Sequence, residues 1–385
     1  MKHWPTIPLS QVVTCLDSER IPVKEDERQK RFGSVPYYGA NGRVGWIDEA
    51  IFNEPLLLIA EDGGHFGEPE RGVAYTIRGP SWVNNHAHVL RPDESRVLLD
   101  FLGYHFRHFD FQPYITGTTR AKLTQRDLMR VEIPVPPVVE QERIVKLLDE
   151  ADELRNLRAQ ADNRTAALIP ALFNEMFSGA DSKNWMEHTF GEAKVMTIID
   201  GDRGTKYPKK TDFRDSGNCL FLNTSNVRKG TFDFSKCDFI THEKDKALRK
   251  GKLTRGDVIL TTRGTLGNSA HYDNAVVHEN VRINSGMVIL RTNPAVLLPE
   301  HLLVVLNSDG FTNQISMMIS GSAQPQLPIN RLSKIKFVLP PLPLQKELAQ
   351  RATEIRELEG GQDGSRRRLD DLFKSMLHRG FKGEL

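Results

Sequence analysis

A stretch of about forty residues occurs twice in this chain, and this repeat restricts the fold more than any other feature. Residues 115–154 align with residues 319–358 without a gap, at a constant offset of 204, and ten of the forty pairs are identical. An ungapped match of that length indicates a duplicated unit. The identical pairs are Ile115/Ile319, Gly117/Gly321, Leu123/Leu327, Leu128/Leu332, Pro136/Pro340, Pro137/Pro341, Gln141/Gln345, Glu150/Glu354, Glu153/Glu357 and Leu154/Leu358.

Both copies have the same order of elements. A polar loop containing glycine comes first, at 116–122 and 320–326, and an alternating apolar stretch follows at 131–135 and 335–339. Alternation with a period of two predicts a short, half-buried strand. A Pro-Pro pair then ends the strand, because proline cannot donate to a strand ladder.

A long amphipathic helix is predicted after each Pro-Pro pair, since apolar residues recur there every three or four positions. Each helix covers about 40 residues, or about 60 Å. A Leu-Phe motif at Leu172 recurs at Leu372, an offset of 200, which predicts a second helix about four residues shorter. Pro170 should kink or divide the first helix, and the glycines at 360, 361 and 364 should loosen the second.

Two arrangements of these helices are compatible with the pattern. A long helix with one narrow apolar stripe requires a partner, and the matching stripes favour an antiparallel pair formed by the two copies. The alternative is two separate surface helices, each lying on its own domain. We favour the pair.

The chain restarts after the first helix. Residues 185–191 resemble residues 4–10, and 178–184 have the composition of a linker. The sequence therefore predicts an α+β protein with two mainly β domains, two long helices forming an antiparallel coiled coil, and a pseudo-two-fold internal repeat. The predicted boundaries are 1–136 for the first domain, 137–180 for the central helix, 181–340 for the second domain and 341–385 for the C-terminal helix.

Composition limits the compartment and leaves the partner open. The net charge of +2 neither indicates nor excludes nucleic acid, because the local distribution of charge decides binding. Three widely spaced cysteines, Cys15, Cys219 and Cys237, argue against a disulfide framework. The N-terminal residues lack the apolar core of a signal peptide, and the apolar run at 56–60 is too short to span a membrane. We expect a cytoplasmic protein.

The sequence lacks the common catalytic motifs. The sequence has no phosphate-binding P-loop. Val135 and Leu339 precede the Pro-Pro pairs, where amino-methyltransferases have Asp or Asn. Pro92-Asp93 could begin a nuclease motif, but no Asp/Glu-x-Lys follows in the first half. We therefore predict no catalytic residues in this chain.

Histidine pairs and glycine turns also receive a structural interpretation. His86 with His88, and His105 with His108, have the spacing of metal ligands but no nearby third ligand, so we interpret them as surface or loop histidines and predict no metal site. We interpret the segments 201–204 and 263–267 as turns. A phosphate-binding loop is the less favoured alternative for both.

The globular regions show strand and turn signals. Asn41-Gly42 predicts a hairpin turn, 56–60 predicts a buried strand, and 256–264 belongs to the strand and loop stretches of the second half. The strand at 286–291 corresponds to 87–91 in the first half. Outside the repeat borders the two halves share little sequence.

Polar residues cluster in the predicted loops and suit the reading of DNA bases. Asn and Gln can bind adenine edges, Arg can bind guanine edges, and Ser, Thr and Lys can hold phosphates. An ordinary turn or a solvated side chain is the alternative for each residue, and the loops 116–122 and 320–326 are the strongest candidates. The predicted contacts are Tyr38, Asn41, Arg43, Asn84, Asn85, Thr118, Thr119, Arg120, Lys122, Asn223, Thr224, Ser225, Asn226, Arg228, Lys229, Arg263, Gln324 and Gln326.

Taken together, these motifs resemble the specificity subunit of type I restriction–modification systems. The resemblance covers essentially the whole chain and is carried by 37–42, by 256–267 and above all by the two joints, 117–145 and 321–348. The first copy departs from the family at 120–122, where Gln-Pro is common, and the second at 346–348, where Glu-Arg-Ile is commoner. By this resemblance, the first departure would alter how that loop touches DNA.

The resemblance implies a function without catalysis by this chain. Each globular unit would be a target recognition domain that reads one half of a split, asymmetric DNA site. The helices would set the gap between the half-sites and dock methyltransferase subunits, expected to be two, alongside restriction–translocase subunits. S-adenosylmethionine, ATP and Mg²⁺ would belong to those partners. Two competing hypotheses remain, a single-chain restriction enzyme or methyltransferase fragment and a coiled-coil scaffold with protein-binding ends.

Overall fold

Two compact units make up the chain in a computed structural model that describes residues 4–66, 71–117, 121–177, 185–319 and 325–385. Unit 1 comprises Met1–Gln160 and Asp363–Leu385, and unit 2 comprises Ala161–Gln362. Each unit thus includes a part of both long helical segments. The domain boundaries predicted above follow the sequence repeat rather than these contacts, and they stay a prediction.

Unit 1 begins with short strands and ends in the first part of a long helix. Its elements are β1 (Thr6–Pro8), β2 (Val13–Cys15), α1 (Glu25–Arg28), β3 (Val35–Gly39), β4 (Gly42–Ile47), β5 (Phe52–Asn53), β6 (Leu56–Ala60), β7 (Ala74–Ile77), β8 (Pro80–Val83), β9 (Ala87–Pro92), α2 (Leu99–Arg107), β10 (Ile115–Thr116), β11 (Lys122–Leu123), α3 (Gln125–Leu128), β12 (Glu132–Pro134) and α4 (Val138–Ala166), which continues into unit 2.

Unit 2 repeats much of that order, and the final helix returns to unit 1. Its elements are α5 (Leu168–Phe177), β13 (Glu187–Thr189), β14 (Met196–Asp200), β15 (Cys219–Leu222), β16 (Phe239–Ile240), α6 (His242–Ala247), β17 (Asp257–Thr261), β18 (Ser269–Tyr272), β19 (Val281–Ile283), β20 (Met287–Thr292), α7 (Pro299–Leu306), α8 (Asp309–Met318), α9 (Ile329–Leu332), β21 (Lys336–Val338) and α10 (Leu342–Lys382).

The sheets of the two units have matching topology, although their sequences have diverged. One antiparallel sheet has the order β2-β9-β6-β7 in unit 1 and β14-β20-β17-β18 in unit 2. A second sheet contains a parallel pair in each unit, β3 with β8 and β15 with β19. The central strands β6 and β17 are buried at every position, which confirms the buried strand predicted at 56–60.

The repeated joint brings together the start and the end of each globular region. β1 pairs with β12, so that Thr6 faces Pro134, and β13 pairs with β21, so that Glu187 faces Val338. These pairs confirm both predicted strands before the Pro-Pro motifs and the restart of the chain near Trp185. The duplicated sequence therefore supplies the strand that pairs with the start of each globular region and connects that region to its long helix.

The long helices are paired and antiparallel within each unit. In unit 1, Arg155 Nε donates to Asp370 Oδ1 at 2.8 Å. Arg143, which lies nearer the start of α4, donates to the carbonyl of Leu385, which lies later in the chain, at 2.7 Å. In unit 2, Leu348 and Ala352 pack against the apolar face of α5, and Gln362 Nε2 donates to Thr165 Oγ1 at 2.9 Å. These contacts confirm the antiparallel coiled coil.

The first helix is divided at Ala167, and Pro170 lies in the first turn of α5, so the predicted division is confirmed. Two other details of the helices differ from the sequence prediction. α10 is continuous through Gly360, Gly361 and Gly364, so the prediction that these glycines loosen it is wrong. α10 also continues beyond the Leu-Phe motif to Lys382, so it is not the shorter helix that the motif spacing predicted.

Candidate nucleic-acid interface

Four loops of unit 2 converge beside the ends of β15 and β17. Thr265 Oγ1 donates to the carbonyl of Thr224 at 3.0 Å, and Thr262 N donates to the carbonyl of Gly286 at 2.8 Å. An isolated bridge joins Arg263 to Gln326. The structure therefore brings together predicted contacts from three separate parts of the sequence, namely Asn223 with Thr224, Arg263, and Gln326.

Two glycines allow this close approach. Gly264 has a φ of +69°, in the left-handed region that favours glycine, and a Cβ there would lie 3.2 Å from Thr224 Oγ1. A Cβ on Gly286 would lie 2.9 Å from Thr224 Cγ2. The loop that carries Thr224 thus packs directly on the backbone of both neighbouring loops.

Several predicted residues of unit 2 also hold the loops in shape. Asn226 is buried, and its Nδ2 donates to the carbonyls of Asp233 at 2.9 Å and Lys236 at 2.7 Å. Asn223 Nδ2 donates to Asp238, and Arg228 forms an ion pair with Asp233 at 3.0 Å. Ser225 and Lys229 are exposed. A DNA contact stays a prediction for all of them, but the amide of Asn226 is already committed to the loop.

In unit 1 the equivalent loops also meet. Asn84 N donates to the carbonyl of Tyr38 at 3.0 Å, and Asn41 Nδ2 donates to the carbonyl of Gly63 at 3.0 Å. An isolated bridge joins Asp62 to Lys122. The hairpin predicted at Asn41-Gly42 is confirmed between β3 and β4, and Gly42 has a φ of +111°.

Other predicted residues of unit 1 are more scattered. The guanidinium of Arg43 lies over the exposed ring of Trp46, 4.5 Å from its centroid, and Asn85 is exposed. Thr118, Thr119, Arg120 and Gln324 lie outside the described residues. Their contacts with DNA stay predictions.

Asn84 has a counterpart that the sequence analysis did not recognise. Asn84 Oδ1 accepts from His86 N at 2.8 Å, and Asn284 Oδ1 accepts from Gly286 N at 2.8 Å, in the turns that precede β9 and β20. The two asparagines lie 200 positions apart, the offset of the Leu-Phe motif. The shared offset was the signal that could have revealed this pair. One matching residue in two diverged loops was not enough to align them.

A second repeated pair was also missed. Asp17 and Arg20 follow β2, and Asp200 and Arg203 have the same spacing at the end of β14. The strands are equivalent, because Val13 faces Pro92 and Met196 faces Thr292. The turn predicted at 201–204 is present, and Asp202 Oδ1 accepts from Gly204 N at 2.6 Å.

The histidines of unit 1 are less exposed than predicted. His88 is 1% exposed, and its Nδ1 lies 2.6 Å from Asp17 Oδ2 while its Nε2 lies 2.9 Å from the carbonyl of Leu123. His105 packs among Phe106, Phe109 and Phe381, and burial lowers its pKa to about 4. The interpretation of both as surface or loop residues is therefore wrong, because each packs against residues distant in sequence.

Asp17, Glu61 and His88 are the side chains in the described ranges that lie close enough together to share a metal ion. Cations of the protein already bind both carboxylates, since Arg20 lies 2.8 Å from Glu61 and 3.4 Å from Asp17. Lys122 Nζ lies 2.9 Å from Glu61. The cluster works as an ion-pair network, and the absence of a metal site stays a prediction.

This network makes part of the stability of unit 1 depend on pH. Burial alone raises the pKa of Asp17, but the hydrogen bond and charge of His88, with help from Arg20, bring the pKa below its ordinary value. A lowered folded-state pKa contributes stability above the unfolded value near pH 4, and that stability is lost as pH falls through the folded value.

We expect Asp17→Asn to lower the free energy of unfolding by about 1–3 kcal/mol at pH 7. The difference from the unchanged protein should shrink below about pH 4, because protonation then removes the same charge. Urea denaturation between pH 3 and pH 7 measures both effects, with the exposed Asp26→Asn as control. A difference that stays constant with pH would contradict this account.

A model of the type I restriction modification DNA specificity domain matches residues 1–164 and 183–358. These two ranges cover most of the chain and correspond to its two halves. The chain belongs to this family. A putative type I restriction enzyme specificity subunit of Haemophilus influenzae, S.HindORF215P, is 26% identical over 89% of this chain and 84% of that protein. The MjaVIII specificity subunit of Methanocaldococcus jannaschii is 22% identical over 93% of this chain and 87% of that protein.

Solved structures of this specificity-subunit family share the fold. The S subunit of a type I system from M. genitalium aligns with a TM-score of 0.56 at 15% identity, over 98% of this chain and 96% of that one. A chain from a study of assembly and conformational transition of the type I system aligns with a TM-score of 0.58 at 19% identity, over 100% and 99%. No helix in the described part of this specificity subunit is both long and apolar enough to cross a membrane.

Proposed function

We propose that this chain reads a bipartite DNA sequence, one half with each unit, for a type I restriction–modification complex. One observation carries the proposal: equivalent positions in two units of matching topology present different side chains. The bridge that pairs Asp62 with Lys122 in unit 1 pairs Arg263 with Gln326 in unit 2. Because side chains of such loops contact bases or phosphates of DNA, different side chains at equivalent positions suit different half-sites.

Catalysis is proposed to lie in partner subunits. These would bind S-adenosylmethionine, ATP and Mg²⁺, and would perform methyl transfer, translocation and cleavage. Transfer of a labelled methyl group to DNA tests this assignment: the purified chain alone should transfer none, and addition of the methyltransferase subunits should give transfer at one bipartite site. Transfer by the chain alone would contradict it.

Docking of two methyltransferase subunits is supported by a surface that occurs once in each unit. Leu154 on α4 and Leu358 on α10 are identical in the repeat, and they are 50% and 59% exposed. The identical acidic pairs Glu150/Glu354 and Glu153/Glu357 are exposed as well. A repeated leucine that is left exposed on a helix suits a repeated partner better than a core position.

We expect Leu154→Ser and Leu358→Ser each to weaken one docking site by about 1.5–3 kcal/mol, the range for burial of a leucine side chain. Mass photometry of the complex with methyltransferase should show one bound subunit for either single variant and none for the double variant at concentrations where the unchanged protein binds two. Leu157→Ser is the matched control, since Leu157 is 51% exposed and its repeat counterpart is Gly361. Two bound subunits in the double variant would refute the assignment.

A further inference from the structure

The repeated Asp-x-x-Arg pair lies beside the predicted reading loops but differs in its surroundings between the units. Arg20 in unit 1 is 12% exposed at its side chain, and Arg203 in unit 2 is 48% exposed. This difference arises from the neighbours that each unit supplies.

In unit 1 the protein itself neutralises the cations. Arg20 Nη1 donates to Glu61 Oε2 at 2.8 Å and to the carbonyl of Ala87 at 2.7 Å, and Arg20 Nη2 lies 3.4 Å from Asp17. Lys122 Nζ lies 2.9 Å from Glu61 Oε1. The carboxylates of Asp17 and Glu61 therefore hold both cations.

In unit 2 the second carboxylate is missing from the equivalent place. Leu123 N donates to the carbonyl of Glu61 and Leu327 N to that of Thr262, so Thr262 occupies the position of Glu61. The isolated bridges place Arg263 at the position of Asp62 and Gln326 at that of Lys122. At this edge unit 1 has the carboxylates of Asp17, Glu61 and Asp62 beside two cations, Arg20 and Lys122. At the same edge unit 2 has the carboxylate of Asp200 beside Arg203 and Arg263.

The unit 2 cations face a cleft of about 330 Å³ lined by Asp200, Arg203, Thr262, Arg263, Gln326 and Asn330 among others. Arg203 has one carboxylate partner, Asp200, at 3.2 Å. Within the described ranges, the exposed Arg263 guanidinium has no hydrogen-bond or ion-pair partner. Guanidinium groups bind the oxygens of a phosphate in bidentate fashion, so two of them at one cleft favour a phosphodiester.

We propose that Arg203 and Arg263 hold a DNA backbone phosphate in this cleft, and that the equivalent edge of unit 1, neutralised from within, holds none. The inference rests on the proposed DNA-reading function and adds an asymmetry to it. Arg203 of unit 2 contributes a salt-dependent contact with the DNA backbone. The equivalent arginine of unit 1, Arg20, instead forms ion pairs within the protein.

The salt dependence of binding tests this asymmetry. The probe is a duplex carrying the site that the unchanged complex methylates, and fluorescence anisotropy measures its affinity for the complex at several salt concentrations. The slope of log K against log salt is negative, and each lost phosphate contact reduces its magnitude by about 0.9. Arg203→Ala and Arg263→Ala should each reduce this magnitude by about one, with the same site still methylated.

Two further variants serve as controls. Arg255→Ala removes an exposed cation at the opposite end of β17, beside Tyr272, and should leave the slope unchanged. Arg20→Gln, checked for folding by thermal melting, should also leave it unchanged. Unaltered slopes for Arg203→Ala and Arg263→Ala would overturn the inference, as would an equal loss for a folded Arg20→Gln. A changed methylation site would show base reading instead of phosphate binding. Absence of specific binding by the unchanged complex would instead refute the proposed function.

Discussion

Replacing Gln141 with leucine is expected to lower the free energy of unfolding of unit 1 by about 3–5 kcal/mol. Gln141 is fully buried and makes three hydrogen bonds. Its Oε1 accepts from Leu98 N at 2.8 Å, and its Nε2 donates to the carbonyls of Arg96 and Pro136, both at 2.8 Å. Leucine fills a similar volume but leaves these three backbone groups without a partner, at about 1–3 kcal/mol each, and the burial of its apolar side chain offsets part of that cost.

The repeat provides a second test of the same joint. Gln345 Oε1 accepts from Leu298 N at 2.9 Å, and its Nε2 donates to the carbonyls of Val296 at 3.0 Å and Pro340 at 2.8 Å. Gln345→Leu should therefore destabilise unit 2 by a similar amount. Gln350→Leu, at an exposed position of α10, is the control.

Hydrogen exchange measured across a denaturant series would separate the two units. The account requires loss of protection in unit 1 for Gln141→Leu and in unit 2 for Gln345→Leu. If both variants behave like Gln350→Leu, the joint does not depend on these amides.

Replacing Phe373 with alanine should destabilise unit 1 by about 3–5 kcal/mol, the usual range for a buried phenylalanine. The Phe373 side chain is 1% exposed in the core that joins α10 to Ile144, Leu148 and Ala151 of α4. The guanidinium of Arg155 lies 4.5 Å from its ring centroid, so the substitution also removes a cation–π contact.

The adjacent residue is a matched control, because Leu372 is 48% exposed on the same helix turn. Leu372→Ala should change the free energy of unfolding by about 0.5 kcal/mol or less. Chemical denaturation followed by circular dichroism at a helix-sensitive wavelength measures both variants. Equal effects would mean that the described helix pairing does not hold unit 1 together.

The joints and the long helices could largely be predicted, because their sequence signals are local and occur twice. The strands before the Pro-Pro pairs, the helices after them and the break near Pro170 all follow from periodicity and proline stereochemistry. The continuity of α10 did not follow. A glycine costs about 1 kcal/mol within a helix, and packing on both sides of Gly360, by Ala352 in unit 2 and Phe373 in unit 1, offsets that cost.

The candidate nucleic-acid interface was predicted less completely, because its geometry depends on contacts between residues that are distant in sequence. His88 is buried by Asp17, which lies 71 positions away, and no local pattern shows that contact. The equivalence of Arg20 and Arg203 likewise depends on the pairing of β2 and β14 with corresponding strands. Local motifs located the loops, whereas the sheet topology determined which residues share an edge.

The central claim is that each unit reads its own half of the DNA site, and exchange of one unit tests it most directly. Residues 185–335 would be replaced by the corresponding segment of a relative with a different site, leaving the first joint and both long helices in place. Sequencing of methylated bases in cells carrying the hybrid should show one changed half-site, the other half-site retained and the gap between them unchanged. A change in both half-sites, or in neither, would contradict the account.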